Sequence, residues 1–254
     1  MPWSDPTLKI LVSLMINSMS KADHSLSRKT PGDLWYSDQE LLAPYLYLEK
    51  DGYLVYVMGV NDQTKNWTEQ VREVHKMHLK KAGYDGFSNR IDNEYHLVGT
   101  YFFVIKDNEI VLTSRINDRT KSSRFPFEMG QRPNGEHYVF QDKIPAVDIN
   151  TYSVMLRHYR RAMPLLLAAF GKYIDDLGAK RAFCLVDREN KVTQRMYHDD
   201  FHFLYSTTFE EPIVFPSFLN GLNQQPVEWK MMEWNEQTIK YYSELHRMIT
   251  IETK

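Results

Sequence analysis

Residues 145–177 constrain the fold of this chain most strongly, because they predict a strand that runs almost directly into a helix. Ala146–Val154 is the predicted strand, and 164–177 is the predicted amphipathic helix. The apolar residues of this helix recur at spacings of three and four, as on one face of an α-helix: Leu166, Ala169, Phe170, Tyr173 and Leu177. Pro164 places the helix start close to itself, since proline is tolerated in the first turn and costs about 3 kcal/mol further in.

A short basic segment, residues 157–163, joins the predicted strand to the predicted helix. It contains Arg157, His158, Arg160 and Arg161. The first N–H groups of a helix have no partner within the helix, and the helix dipole is positive at this end, so a helix start favours an anion. Three arginines strengthen that preference. The segment therefore predicts a local anion-binding site, with a solvated basic turn as the plainer alternative.

Composition excludes several classes of protein. The formal net charge of −2 argues against a general nucleic-acid binder, whose affinity depends on many phosphate contacts. Cys184 is the single cysteine, which rules out an intramolecular disulfide and a cysteine-rich zinc site. No stretch approaches about 18 apolar residues and no secretory leader is recognisable, so we expect a cytoplasmic protein without a membrane span.

The rest of the sequence predicts alternating strands and helices. We expect residues 1–50 to be an N-terminal helical extension packed on the core, and 51–254 to be the main domain. The apolar stripe of the extension is Leu8, Leu11, Val12, Met15 and Met19. Hairpins are predicted at 45–58 and 97–116, helices at 66–83, 188–199 and 234–248, and further strands at 136–140, 182–186 and 203–209. A capping box of Asn66 with Glu69 marks the first of these helices. This order predicts a mixed α/β domain.

The order of elements resembles the GCN5-related N-acyltransferase (GNAT) superfamily. The phosphate-binding signature of that family is Arg or Gln, two residues, Gly, one residue, then Gly or Ala. Residues 157–162 fit its first and last positions, with Arg160 where glycine is usual. Asn190 and Tyr197 match a second family pattern, an Asn followed seven residues later by a Tyr. The first half of the chain resembles the branch of autoinducer synthases and N-acyl amino acid synthases at residues 83–84, 92–94, 113–115 and 125–128.

The resemblance implies a central, mostly antiparallel sheet flanked by helices, and an N-acyltransferase activity. The donor would be a pantetheine thioester, either acyl-coenzyme A or a fatty acyl carrier protein, and the acceptor the amine of a small molecule such as an amino acid. Neither a metal nor nucleic acid is expected. Acetyl-coenzyme A-dependent acetylation is the main enzymatic alternative. A degenerate member that binds an acyl thioester or a partner without turnover is the other, because Arg160 crowds a loop where glycine lets the pyrophosphate approach.

The resemblance also implies roles for single residues. Asp148 would orient or deprotonate the amine, with a solvent-facing strand aspartate as the equal alternative. The main-chain N–H of Val154 or Met155 would bind the thioester carbonyl, and Tyr197 would protonate the leaving thiolate. The residues expected to bind pantetheine, the nucleotide phosphates or the acidic face of a carrier protein are Arg157, His158, Arg160, Arg161, Ala162 and Asn190. Arg115 and Glu128 would position acceptor or donor, with surface salt bridging as their alternative.

Histidine pairs suggest a rival hypothesis. His75 and His78 lie three residues apart on a predicted helix, and His198 and His202 flank two aspartates. Zinc or iron needs three or more ligands at suitable spacing, and neither pair has a recognisable third. A metal site is therefore the weaker hypothesis.

Overall fold

Ten strands form one sheet in the computed structural model, which describes residues 44–85, 94–119 and 124–252. The strands are β1 (Tyr45–Lys50), β2 (Tyr53–Met58), β3 (Tyr84–Asp85), β4 (Thr100–Lys106), β5 (Glu109–Asp118), β6 (Ala146–Val154), β7 (Arg181–Asp187), β8 (Leu204–Tyr205), β9 (Ile213–Asn220) and β10 (Pro226–Trp234). Their order is β1-β2-β4-β5-β6-β7-β10-β9-β3, with β8 on β10. Only β6 and β7 pair in parallel among these described strands. The predicted mixed, mostly antiparallel sheet is confirmed.

Helices cover both faces of this sheet. They are α1 (Lys65–Lys81), α2 (Tyr159–Asp176), α3 (Lys191–Arg195) and α4 (Glu236–Glu252). Alternate residues of a strand point to opposite faces, and β4 shows the consequence. Phe102 belongs to the core beneath α2 and α4, whereas Phe103 belongs to a second core beneath α1. The predicted apolar face of α2 is buried in the first of these cores.

The predicted start of α2 near Pro164 is wrong. The helix begins at Tyr159, after a 3₁₀ turn at Leu156–His158, so Pro164 is its sixth residue. Proline lacks the N–H that bonds the carbonyl four residues back, here that of Arg160. Both residues are exposed, so water replaces the missing donor at little cost. The basic segment still lies at the helix start, now spread over the 3₁₀ turn and the first turn of α2.

Other boundaries also differ from prediction. Helix α1 begins at Lys65 with Thr64 as its N-cap, so the predicted capping box at Asn66 is wrong. The hairpin strand predicted from residue 97 begins at Thr100. Predicted helix 188–199 is a five-residue α-helix followed by a π turn at Met196–Asp200. Residues 136–140 form no strand, because Tyr138 and Phe140 pack into an aromatic cluster instead.

The last third of the chain differs most from the predicted secondary structure. The strand predicted at 203–209 is reduced to β8, and β9 and β10 were not predicted. Pro216 lies inside β9, a position at which a proline usually argues against a strand. Trp234 ends β10, and the final helix starts two residues later. At the other end of the chain, β1 pairs with β2, so residues from Tyr45 onward belong to the sheet. The apolar stripe of residues 8–19 lies outside the described residues, as do Asp92 and Asn93.

None of the described helices combines the length and the apolar character that crossing a bilayer requires.

Helices α2 and α4 touch at Gly171. A Cβ atom built there would lie 2.3 Å from Tyr242 Cβ and 2.6 Å from Ser243 N. Alanine normally stabilises a helix by about 1 kcal/mol relative to glycine. Here we expect Gly171→Ala to destabilise the protein by roughly 1–3 kcal/mol, because the α4 backbone cannot yield as a side chain does. Urea unfolding measures this, with Gln237→Ala at an exposed position of α4 as the control; a more stable Gly171→Ala variant would contradict the packing.

Candidate active site

Pairing between β6 and β7 ends halfway along both strands. It joins Ala146–Ile149 to residues 181–184, although β6 continues to Val154 and β7 to Asp187. On its other edge, β6 remains paired with β5 as far as Val154. We call the space between residues 150–154 of β6 and 185–187 of β7 the strand gap. The second half of β6 therefore has one edge whose backbone groups face this gap.

A β-bulge lies where the gap opens. Thr113 pairs with Ser153 and Arg115 with Asn150, so two residues of β6 face the single residue Ser114 of β5. One of the two, Thr151, has φ of 51°, in the left-handed region that a β-branched residue rarely adopts. A bulge bends its strand and increases the local twist. Pairing with β7 ends at Ile149, just before this bulge.

The bulge and the register decide which backbone N–H faces the strand gap. The N–H of Met155 donates to the carbonyl of Val111 at 2.9 Å, so it belongs to the β5–β6 ladder. Along an antiparallel pair, residues that bond the partner alternate with residues whose backbone groups point to the other edge. Val154 is thus directed towards the gap, and Met155 is not available as a donor there.

Tyr197 lies beside the strand gap on the α2 side of the sheet. The π turn at Met196–Asp200 packs its ring against Tyr152 and Phe201, with centroids 5.9 and 5.2 Å away. The side chain is buried, and its hydroxyl makes no hydrogen bond within the described part of the chain. Burial and the neighbouring Cys184 raise the pKa of Tyr197 well above its usual range, so the phenol keeps its proton.

Asp148 is buried rather than solvent-facing, with 2% of its surface exposed. Its Oδ2 accepts the Phe127 N–H at 3.3 Å. Burial raises the pKa of Asp148 to about 7, against the opposing effects of that N–H and of Arg115. However, Asp148 precedes Val154 by six residues on one strand, which at about 3.3 Å per residue separates them by more than 15 Å or so even with a bulge. Direct contact with an amine at Val154 is therefore excluded.

Arg115 is also buried, at 2% exposure, so the alternative of a surface salt bridge is wrong. Its Nε donates to Asn150 Oδ1 at 2.8 Å, and its Nη1 donates to the Tyr101 hydroxyl at 3.2 Å. Asn150 in turn donates to Asn117 Oδ1 at 3.0 Å. These side chains form a polar layer on the α1 face of β4, β5 and β6. Arg115 thereby links the bulged part of β6 to the surroundings of Asp148.

Glu128 holds the loop that precedes β6. Its carboxylate accepts the N–H groups of Phe125 at 2.6 Å and Phe140 at 2.8 Å, and it pairs with Arg119 at 2.9 Å. With 2% exposure and these three partners, it is not a surface ion pair. Its carboxylate fixes the turn that presents Phe127 N–H to Asp148. These contacts make Glu128 a structural residue of this loop.

The basic segment divides into engaged and free cations. Arg157 pairs with Glu109, and His158 Nδ1 lies 3.0 Å from the Tyr53 hydroxyl. Arg160 and Arg161 are exposed, and neither has a hydrogen bond or ion pair with the residues that the structure describes.

The backbone at the start of α2 has fewer free N–H groups for an anion than the sequence predicts. The N–H groups of His158 and Tyr159 are taken by the carbonyls of Met155 and Leu156. Ala162 is fully buried on the inner side of α2. The exposed side chains of Arg160 and Arg161 are the groups at this helix start that remain suited to an anion.

Asn190 caps the helix that leads to Tyr197. Its Oδ1 accepts the Thr193 N–H at 3.0 Å, and the residue itself is exposed. Gln194, one turn into α3, donates to the carbonyls of Asp187 and Arg188 at 3.0 and 2.6 Å. These hydrogen bonds hold α3 against the end of β7 and thereby fix the position of Tyr197, which follows α3.

The two histidine pairs do not come together as a metal site. His75 is buried under α1, whereas His198 bonds Asp199 and His202 stacks on Tyr242. Across the described ranges, no three His, Cys, Asp or Glu side chains are grouped closely enough to hold an ion.

Sequence reasoning missed a narrow cleft under α1. The lining residues are Val71, Arg72, His75, Lys76, Tyr101, Thr113 and Thr151. The available signal was an arginine on the apolar side of α1, since Val71, Arg72, Val74 and His75 are all buried. We call this site the α1 cleft.

No family model matches the chain, and neither does any curated protein. Solved structures that are similar include FeeM, an N-acyl amino acid synthase from uncultured soil microbes (9% identity, 81% of this chain and 98% of that one, TM-score 0.48). Another is BjaI, a CoA-dependent acyl-homoserine lactone synthase (15%, 78% and 90%, 0.48). A third is a GNAT family acetyltransferase from Elizabethkingia anophelis with acetyl-CoA bound (12%, 73% and 99%, 0.44). These descriptions name the groups that the sequence motifs resemble. At such identities and TM-scores, activity has to be argued from this chain's own residues.

The raised pKa of Asp148 predicts a pH-dependent stability. The folded state holds a proton that the unfolded chain releases near pH 4, so this group's contribution is present below about pH 4 and is lost as the pH rises to about 7. We expect Asp148→Asn to remove that loss. At pH 8 the free energy of unfolding of the variant should exceed that of the wild type by at most roughly 4 kcal/mol, and the difference should be smaller at pH 5. Urea unfolding at both pH values tests this, with exposed Asp62→Asn as control. Parallel pH dependence of wild type and Asp148→Asn would contradict it.

Proposed function

We propose that this chain is an N-acyltransferase that moves an acyl group from a pantetheine thioester to the amine of a small molecule. The observation that carries the proposal is the end of β6–β7 pairing at the bulge, which directs Val154 N–H towards an open strand gap. A strand edge without a partner inside a sheet is costly unless something pairs with it. A thioester substrate is a chemically suitable partner.

The pantetheine arm fits such an edge. It is extended and carries two amide groups, so it can bond to a strand edge as an added strand does. The thioester carbonyl would then accept the Val154 N–H. A fixed N–H that is already aimed at the position of the oxyanion stabilises the negative charge that develops there in the transition state.

Arg160 and Arg161 suit the charged end of the donor. They stand at the start of α2, just beyond the end of β6, and their guanidinium groups are uncommitted within the described residues. Guanidinium groups bind phosphates and carboxylates well. The same pair therefore fits the phosphates of coenzyme A or the acidic surface of an acyl carrier protein.

The chemistry requires one bond to form and one to break. The neutral amine attacks the carbonyl carbon, the C–N bond forms, and the C–S bond breaks. Tyr197 donates its proton to the departing thiolate, whose own pKa is raised by the same desolvation that raises the pKa of the phenol. The proton lost by the amine passes to water in the gap and returns to Tyr197. Asp148 acts from a distance, by fixing the polar layer and Phe127.

Thermal unfolding with a panel of thioesters tests the proposal without knowledge of the acceptor. The panel is coenzyme A, acetyl- and long-chain acyl-coenzyme A, and acylated carrier protein. A ligand at 100 times its Kd should stabilise the protein by about 2.7 kcal/mol. We expect the Arg160→Ala/Arg161→Ala double variant to lose much of this stabilisation by the ligand. The Tyr197→Phe variant should retain the stabilisation.

Lys65→Ala, an exposed cation on α1, serves as the control and should behave as wild type. Stabilisation by the carrier alone would assign a carrier-bound donor, and stabilisation by free or acetyl-coenzyme A would assign coenzyme A. If no thioester stabilises the protein, the proposed function is wrong.

A further inference from the structure

Asp187 ends β7 at the strand gap. Cys184 and Val186 of β7 belong to the core beneath α2 and α4. Because alternate residues of a strand point to opposite faces, Asp187 is directed to the other face, the one on which α1 lies. Paired residues of β6 and β7 run as far as Ile149 with Cys184. Counting on from this pair, and allowing one residue for the bulge, Asp187 stands level with Ser153, the residue before Val154.

Tyr84 holds the Asp187 carboxylate. Its hydroxyl donates to Asp187 Oδ2 at 2.7 Å. Tyr84 belongs to β3, which is separated from β7 by β9 and β10, so its side chain lies across these two strands. The ring contacts Phe218 and Trp229 there, with centroids 5.6 and 6.0 Å away. Burial and the Asp187 carboxylate raise the pKa of Tyr84 far above its usual range, so the phenol keeps its proton and remains a donor.

The Asp187 carboxylate has no cationic partner in the part of the chain that the structure describes. Its Oδ1 accepts the Glu189 N–H at 2.8 Å, so both of its oxygens are bonded to neutral donors. The neighbouring Arg188 is paired with Glu228 instead. A carboxylate offers about four lone-pair sites, and two are used here. Since Asp187 is half-buried and its charge is not balanced, it suits a cationic ligand.

We propose that Asp187 binds the amino group of the acceptor as an ammonium ion at the strand gap. The proposal rests on the proposed function and names a specificity residue of its acceptor site, which takes a cation in preference to a neutral nucleophile such as an alcohol. Charge-assisted hydrogen bonds are about twice as strong as neutral ones. When the ammonium ion has lost one proton to water in the gap, one N–H stays on Asp187 and the freed lone pair attacks the thioester carbon.

An NMR titration of the full-length protein tests the proposal without a thioester. The probes are n-butylammonium chloride and n-butanol, which carry the same alkyl chain. The reporter is the indole N–H signal of Trp229, the residue that pairs with Asp187 across β7 and β10, assigned through Trp229→Phe. We expect a saturable shift with butylammonium, and none with butanol or with sodium chloride at the same concentration. The absence of such a shift in the wild type would overturn the proposal.

The Asp187→Asn variant identifies the group that binds. Asparagine removes the charge but keeps an oxygen for the Glu189 N–H, so the turn after β7 is preserved. We expect this variant to bind butylammonium at least about tenfold more weakly. Tyr84→Phe keeps the charge and should lose less. Glu189→Gln is the matched control, because it removes an exposed carboxylate two residues away, and it should bind as the wild type does. Unchanged binding by a folded Asp187→Asn would overturn the proposal.

The thioester panel separates failure of the amine site from failure of the proposed function. Asp187 contacts the acceptor and not the donor, so Asp187→Asn should still be stabilised by whichever thioester stabilises the wild type. That stabilisation also shows that the variant is folded. Thioester binding without butylammonium binding overturns the amine site alone. Butylammonium binding by a protein that no thioester stabilises upholds the cation site and removes the acyltransferase.

Discussion

The structure depends on a sheet whose two central strands stop pairing partway. Among the described strands, β6 pairs with β5 alone after Ile149, and Thr151 adopts a conformation that its branched side chain disfavours. Strain of this kind persists only where the surroundings enforce it, and here the buried polar layer and the β5 ladder do so. The bend of the bulge keeps Val154 directed at an open gap. Every functional assignment above uses that opening.

The two faces of the sheet provide different surroundings on either side of the strand gap. On one face, α2 and α4 bury a continuous apolar core, and an aromatic group with Tyr152, Tyr197 and Phe201 closes the space beside β6. On the other face, Arg115 and Asn150 form a polar layer beneath α1. In the proposed function, the donor's thiol would meet a proton-holding phenol in apolar surroundings, and the acceptor would meet charged and polar groups. The separation suits a reaction between an apolar thioester and a polar amine.

The central unit could be predicted from the sequence because its signals are local. The strand Ala146–Val154 and the apolar face of α2 follow from periodicity, and the basic helix start follows from three arginines in five residues. The start of α2 was predicted wrongly from Pro164, because the cost of a proline inside a helix depends on whether water can reach the carbonyl that it leaves unpaired. Strands β9 and β10 were not predicted, because Pro216 lies inside β9 and charged residues interrupt the apolar pattern of β10.

Only part of the candidate site could be predicted from the sequence. Asp148 was singled out by position, yet its burial and its distance from Val154 are set by register with β5 and β7, which no local pattern encodes. The choice between Val154 and Met155 depends on the bulge, which adds one residue to β6. The α1 cleft joins residues from α1, β4, β5 and β6, so only the fold brings it together.

Amide hydrogen exchange at Val154, resolved by NMR, tests the central claim most directly. In the free protein, the account predicts that Val154 exchanges much faster than Met155, whose N–H is bonded to Val111. An unreactive thioether analogue of acyl-pantetheine should then slow Val154 and leave Met155 unchanged. Exchange at Val154 as slow as that at Met155 in the free protein would contradict the account, because it would mean that the N–H does not face an open gap.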